Sequence, residues 1–204
     1  MTAPAVYALR VVRWEGDARG RLERAALSLF QEQGYDRTTV AQIAQRANLT
    51  ERSFYRWFTD KREVLFGGSE ELQAHLVAAV DDAPADTGAL ATLLTAFAAA
   101  PEVFRPRDFV RRRSEVVAAN PPLQERELIK LVSISETLGA ALVHRGFDAQ
   151  TARLATDIGL AVLRTTIERW MADERADFAE VLSTSASDLL IVAADAAPFL
   201  QSSS

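Results

Sequence analysis

Apolar residues recur at intervals of three and four along nearly the whole chain, and no stretch shows the two-residue alternation of a half-buried strand. The pattern predicts a first helix over residues 18–33. Leu22, Ala25, Ala26, Leu29 and Phe30 share one face there, and Gly34 follows as a left-handed stop. Thr39-Val-Ala-Gln42 has the form of a capping box and predicts a second helix that turns Ile43, Ala44 and Ala47 inward. It ends at Asn48, a residue type that accepts the left-handed backbone. Thr50 predicts the cap of a short third helix through Phe58, with Phe54 and Phe58 four apart on its inner face. Asp60-Lys-Arg-Glu63 reads as another capping box, opening a long helix from Lys61 to Val80. Gly67-Gly68 falls in its first third, either as a place to bend or as a place for another helix to pack closely.

Beyond Pro84 the same periodicity predicts helices at 86–100, 106–118, 121–145, 148–173 and 177–197. Their joints fall at Pro101, Pro106, Pro121-Pro122, Gly146 and Asp173-Glu174. From Leu154 to Met171 and from Phe178 to Val192 apolar residues run nearly all the way round, so each helix has a second face to bury besides its own core. The expected fold is all-α: an N-terminal three-helix domain with a helix-turn-helix, then a helical bundle.

Composition narrows the function. A chain of 204 residues that is 49% hydrophobic can bury the core of one or two domains. The absence of cysteine excludes disulfides, thiolate ligands and thiol nucleophiles. His75 and His144 fall on different predicted helices, so neither a metal site nor a cofactor is expected. No apolar run is long enough to cross a bilayer and no signal peptide opens the chain, which points to a cytoplasmic protein without a membrane partner. GxSxG, P-loop and glycine-rich nucleotide motifs are all missing, which disfavours an enzyme. The net charge of −5 hides an asymmetry: residues 1–66 hold 11 Lys/Arg against 8 Asp/Glu, and the rest holds 12 against 20. A mildly basic head on an acidic body suits a protein that touches polyanion at one end. The overall pI of about 5.2 weighs against a nucleoid-type DNA coat.

Two short helices around a tight Asn48-Leu49 turn match a helix-turn-helix, whose second helix enters the major groove. Spacing alone also fits a structural hairpin with a solvated face. Residues 17–66, with "AALSLFQEQGYDRTTVAQIAQRANLTERSFYRWFTDKREVL", resemble the DNA-binding domain of TetR-family transcriptional repressors. The shared features are the glycine after helix one, Tyr35, Thr38-Thr39, Ile43-Ala44 and S-F-Y-R-W-F-x-x-K-x-x-x-L. Asn48 stands where the family usually has glycine, and Trp57 where histidine or tyrosine is common. The resemblance implies that Thr39, Tyr55 and Lys61 bind phosphates. It assigns Thr50, Glu51, Arg52 and Arg56 to base edges and Ser53 to the groove wall, and it puts Trp57 in the same DNA-binding set with its role open. Residues 1–16 are expected to be a flexible arm. Its Arg10 and Arg13 suit a minor groove, while Val11, Val12 and Trp14 dilute the charge.

For residues 67–204 the resemblance implies an effector-binding and dimerisation domain. The two-sided helices fit a four-helix interface between subunits, with Leu160, Leu163, Ile167, Leu182, Leu189 and Val192 as its apolar contacts. "RRRSEVVAANPPLQERELIKL" and "GLAVLRTTIERWMAD" further resemble an actinobacterial subgroup related to mycofactocin-type repressors, described as binding acyl-CoA-like ligands. Such a ligand needs an apolar tunnel and cations for its phosphates. Phe97, Phe104, Phe109, Ile134, Leu138 and Trp170 suit the first, and Arg112 and Arg113, beside Arg111, the second. The same residues read equally as core and as a solvated arginine face paired with Glu115. Together these features give the expected function: a homodimeric repressor released from a palindromic DNA operator by a small hydrophobic effector.

Overall fold

The computed structural model describes residues 18–195, which form nine α-helices, with no strand among the described residues. The expected arm at 1–16 lies outside the described residues. The first helix, α1 (Ala18–Gln33), buries Leu22, Ala25, Ala26, Leu29 and Phe30, the stripe that the sequence indicates. It stops at Gly34, whose φ of 86° an L side chain would resist. In α2 (Val40–Arg46) both arms of the capping box form. The Thr39 hydroxyl accepts the Gln42 N–H, and the Gln42 side chain accepts the Thr39 N–H. Asn48 turns the chain with a φ of 53°. Thr50 then caps α3 (Glu51–Tyr55), and Phe54 beneath it is fully buried.

The predicted long fourth helix starts later than the sequence indicates. The Asp60 carboxylate does accept the N–H groups of Arg62 and Glu63, at 2.7 and 3.1 Å, but this caps only a 3₁₀ turn over Glu63–Leu65. The α-helix, α4, runs Ser69–Asp81. Between them Gly67 is a close-packing site: a Cβ there would lie 2.7 Å from Glu23 Oε1 and 2.9 Å from Phe58 Cε1. Space, rather than bending, explains that glycine. Glu23 itself is buried at 2% exposure and receives two hydrogen bonds from Arg105, at 2.9 and 3.1 Å, with Arg19 3.4 Å away.

The remaining helices are α5 (Ala89–Ala98), α6 (Arg107–Ala118), α7 (Pro121–His144), α8 (Ala149–Ala172) and α9 (Phe178–Asp195). The described residues form two compact units: those up to Leu72 with Glu102–Val132, and Gln73–Pro101 with those from Ser133 to Asp195. The first unit is thus larger than the 17–66 domain read from the sequence. Phe109, Val116 and Val117 of α6 and Leu123 of α7 share one core with Leu22, Phe30, Phe54 and Phe58. Three short helices bury too little apolar surface to stand alone, and α6 supplies the missing face.

In the second unit Leu93, Phe97, Leu138, Leu142, Val162 and Trp170 lie in the interior. Trp170 meets Phe178 edge to face at 5.7 Å, joining α8 to α9. Asp148 caps α8 by accepting from the Gln150 and Thr151 N–H groups. The second apolar face anticipated on α8 and α9 is present: Leu154, Leu190, Ile191 and Val192 are all more than half exposed. Of the six residues assigned to that face, Val192 is exposed and Leu160, Ile167 and Leu189 are half-buried. Leu163 and Leu182 differ from the other four: both are buried within the unit and contribute little surface to that face. A helix that is apolar all round does not reveal from its sequence which side turns inward.

Candidate nucleic-acid interface

The presentation of α3 starts with its underside. Phe54 packs against Phe58, with ring centroids 5.3 Å apart, and this fixes the roll of a helix too short to be stable by itself. Four residues on either side of Phe54 are then forced outward: Glu51, Arg52, Tyr55 and Arg56 are all exposed, as is Trp57 just beyond the helix. Tyr55 sets its ring edge on to Phe54 at 5.5 Å and keeps 56% of its surface in solvent, so the hydroxyl stands clear. The Thr50 and Ser53 hydroxyls lie 3.0 Å apart, and Thr50 also accepts the Ser53 N–H.

The helices behind α3 are pinned. Arg46 of α2 makes a two-pronged contact with Glu32 of α1, both distances 2.8 Å, and the bond to Arg46 holds the Glu32 carboxyl below its usual range. Lys61 donates to the carbonyls of Tyr35, at 2.7 Å, and Thr38, at 2.9 Å, with its ammonium 4.0 Å from the Tyr35 ring centroid. Burial lowers its pKa, and the ring and carbonyls compensate the charge. Two of its three N–H groups are therefore used to hold the turn before α2, and one is left for a phosphate. Thr39 is exposed; its oxygen accepts the cap bond, and its O–H remains free to donate.

The electrostatic feature of this surface is a lack of pairing. Arg52 and Arg56 have no carboxylate within ion-pair range among the described residues, whereas Arg46 and Arg62 beside them are paired. Two guanidiniums, a phenol, the Thr39 hydroxyl and whichever of the Thr50 and Ser53 hydroxyls does not donate to the other can donate hydrogen bonds to phosphates and base edges.

The residues suggested for an effector divide between the units. Phe97, Ile134, Leu138 and Trp170 are buried in the second unit. Phe104 and Phe109 are in the first, Phe109 inside its core. Arg112 and Arg113 of the triplet reach other segments of the first unit, whereas Arg111 pairs within its own helix. Arg113 donates to the Leu65 carbonyl and to Glu127, at 2.7 and 2.9 Å, and lies over the Phe66 ring at 4.6 Å. Arg112 donates to Gln31, and Arg111 to Asp108. Arg113, suggested from the sequence for a phosphate cluster, is thus already engaged within the first unit. The sequence reading also passed over Glu23, although its spacing carries the signal: four and seven residues before Leu27 and Phe30, it sits on the buried side of α1.

Residues 23–66 match the family model of bacterial regulatory proteins, tetR family. The HTH-type transcriptional regulator TcmR of Streptomyces glaucescens is 38% identical over 81 residues, which is 40% of this chain but only 36% of TcmR. The chain thus spans about a third of that relative. MftR of Mycobacterium tuberculosis, named for mycofactocin biosynthesis regulation, is 24% identical over 85% of this chain and 89% of its own. Among solved structures, a Thermus thermophilus TetR-family repressor, FadR, in complex with lauroyl-CoA covers 84% of this chain and 93% of its own, at 22% identity and a TM-score of 0.50. No helix among the described residues is long and apolar enough to cross a membrane.

Proposed function

From its membership of the TetR family of transcriptional regulators, we propose that this chain is a homodimeric repressor that reads a palindromic operator through α3 and leaves it when a small hydrophobic effector binds. The observation that carries the reading is the exposed face of Arg52, Tyr55 and Arg56, on which neither arginine is ion-paired among the described residues. Arginine forms a two-pronged bond with a guanine edge, and tyrosine and threonine hydroxyls anchor the phosphates on either side. Thr39 and the third N–H of Lys61 extend that anchoring, while Thr50 and Glu51 begin the groove-facing end of the helix.

Dimerisation is supported by the exposed apolar patch on α8 and α9, in which Leu190, Ile191 and Val192 are 64–70% exposed. A monomer has little use for such a surface. Ile191→Glu places a charge there and should give a folded monomer that no longer binds the two half-sites, about one DNA turn apart. Size-exclusion chromatography and operator binding check both parts.

For the effector, the apolar interior of the second unit favours a hydrophobic molecule, and the FadR complex with lauroyl-CoA makes acyl-CoA the first class to try. At that identity the likeness concerns fold, and one fold serves many ligands. Footprinting on the DNA upstream of the chain's own gene, with CoA and acyl-CoAs of rising chain length, tests the reading. A protected palindrome lost with long-chain acyl-CoA supports it. Uniform binding to bulk DNA contradicts the repressor, and a footprint unaffected by every acyl-CoA contradicts that effector class alone.

A further inference from the structure

The end of α3 holds a pair whose purpose packing does not explain. Phe54 and Phe58 carry the inner face and are 0% and 3% exposed, but Trp57 between them keeps 40% of its surface in solvent. Its own N–H is satisfied by the Phe54 carbonyl at 2.9 Å, so its backbone is fixed. The Arg56 guanidinium lies over the indole, 5.8 Å from the ring centroid, and no described carboxylate pairs with it. Arg56 is fixed in backbone as well, as the αR C-cap of the helix, bonded back to Arg52.

We propose that Trp57 is a positioning residue for Arg56, holding its guanidinium over the indole face so that it meets the DNA already oriented. This rests on the DNA-reading role of α3 and adds to it a reason why the two arginines differ. A free arginine loses the freedom of a long side chain when it forms a two-pronged bond, and that loss weakens binding. Stacking on an indole restricts the guanidinium before the encounter while leaving its N–H edge exposed, because cation–π attraction uses the plane of the group and not its donors. Among the described residues no ring is recorded against Arg52, so its recognition is expected to be independent of Trp57.

The test is a double-mutant cycle on the full-length protein, using the footprinted operator, single-base variants of it, and random duplex. Trp57→Leu should weaken operator binding by about two- to five-fold, the range of an exposed cation–π contact. The loss should fall at the same base pairs that Arg56→Ala relaxes and should vanish in the Arg56→Ala background. Trp57→Phe, which keeps a π face, should restore most of it. Because Trp57 already keeps 40% of its surface in solvent, melting temperatures should fall only slightly, by less than the loss of operator binding requires. Additive effects of the two substitutions overturn the proposal. So does an equal loss on random duplex, which would make Trp57 a backbone contact, and so does failure of Trp57→Phe to restore binding. If the unaltered protein itself shows no preference for the operator, the underlying DNA-reading role falls, and this outcome is distinct from the others.

Discussion

Two segments of the first unit are rich in arginine and use it in opposite ways. On α3 and at its C-cap, Arg52 and Arg56 point outward with no acidic partner among the described residues. In the segment 102–132, Arg105 binds Glu23 and Glu71, Arg113 binds Glu127 and a carbonyl, and Arg126 binds Glu63, which Lys130 also approaches. The residue type is the same, but the partners differ. An arginine already satisfied by a buried carboxylate stabilises the fold and has little left to offer a ligand, whereas an unpaired one on a rigid mount is available for recognition. Pairing, more than the density of positive charge, separates the two roles. On this basis Arg111-Arg112-Arg113 loses the prominence that its sequence gives it.

The sharpest way to break this contrast is to remove the carboxylate that is most buried. Glu23→Ala takes the buried carboxylate away from Arg105 and Arg19, leaves Arg105 its longer contact with the more exposed Glu71, and should cost about 3 kcal/mol or more of stability. Urea unfolding measures it; a change within error would mean that the cluster is not structural. Arg113→Ala removes a carbonyl bond, a partly exposed ion pair and a stacked ring. Its expected cost is about 1–2 kcal/mol, most of it from the bond and the stacking. The Arg113→Ala variant should still discriminate operator from random DNA once folded. Loss of discrimination with unchanged stability would mean that Arg113 takes part in DNA recognition and is not simply structural.

These outcomes also bear on what the sequence could reveal. Thr39, Asn48 and Thr50 were legible because caps and positive-φ turns are decided within four residues, and each does what its local pattern indicates. Asp60 was half legible. Its cap forms, but the helix it should open is interrupted at Gly67, where Glu23 and Phe58 leave no room for a side chain. That interruption depends on contacts more than forty residues away along the chain from Glu23, which no local pattern contains. The membership of α6 in the first unit was hidden for the same reason, since Phe109, Val116 and Val117 have the spacing of any amphipathic helix. The exposed face of α3 was readable because its inner residues, Phe54 and Phe58, fix which ones turn outward. The effector residues were not readable, because the apolar lining of a pocket and the apolar filling of a core look alike in sequence.

The smallest expected effect sharpens the comparison at its edge. Glu32 and Arg46 pair on the surface between α1 and α2, and Arg46 lowers the Glu32 pKa. Stability from a lowered carboxylate is present above its ordinary value and is lost as pH falls through the lowered one. Glu32→Gln should therefore melt slightly below the unaltered protein at neutral pH, and the two should converge at acid pH. A gap that persists in acid would show that the pair acts through packing instead of charge.

The central claim is that the unpaired arginines of α3 read DNA and do not support the fold. The most direct measurement compares Arg52→Ala and Arg56→Ala with the unaltered protein on operator and on random duplex, alongside their melting temperatures. Each should lose about 1–3 kcal/mol on the operator, less on random DNA, and relax preference at its own base pairs, with melting unchanged. Equal losses on both duplexes, or a fall in melting temperature that accounts for the weaker binding, would contradict it.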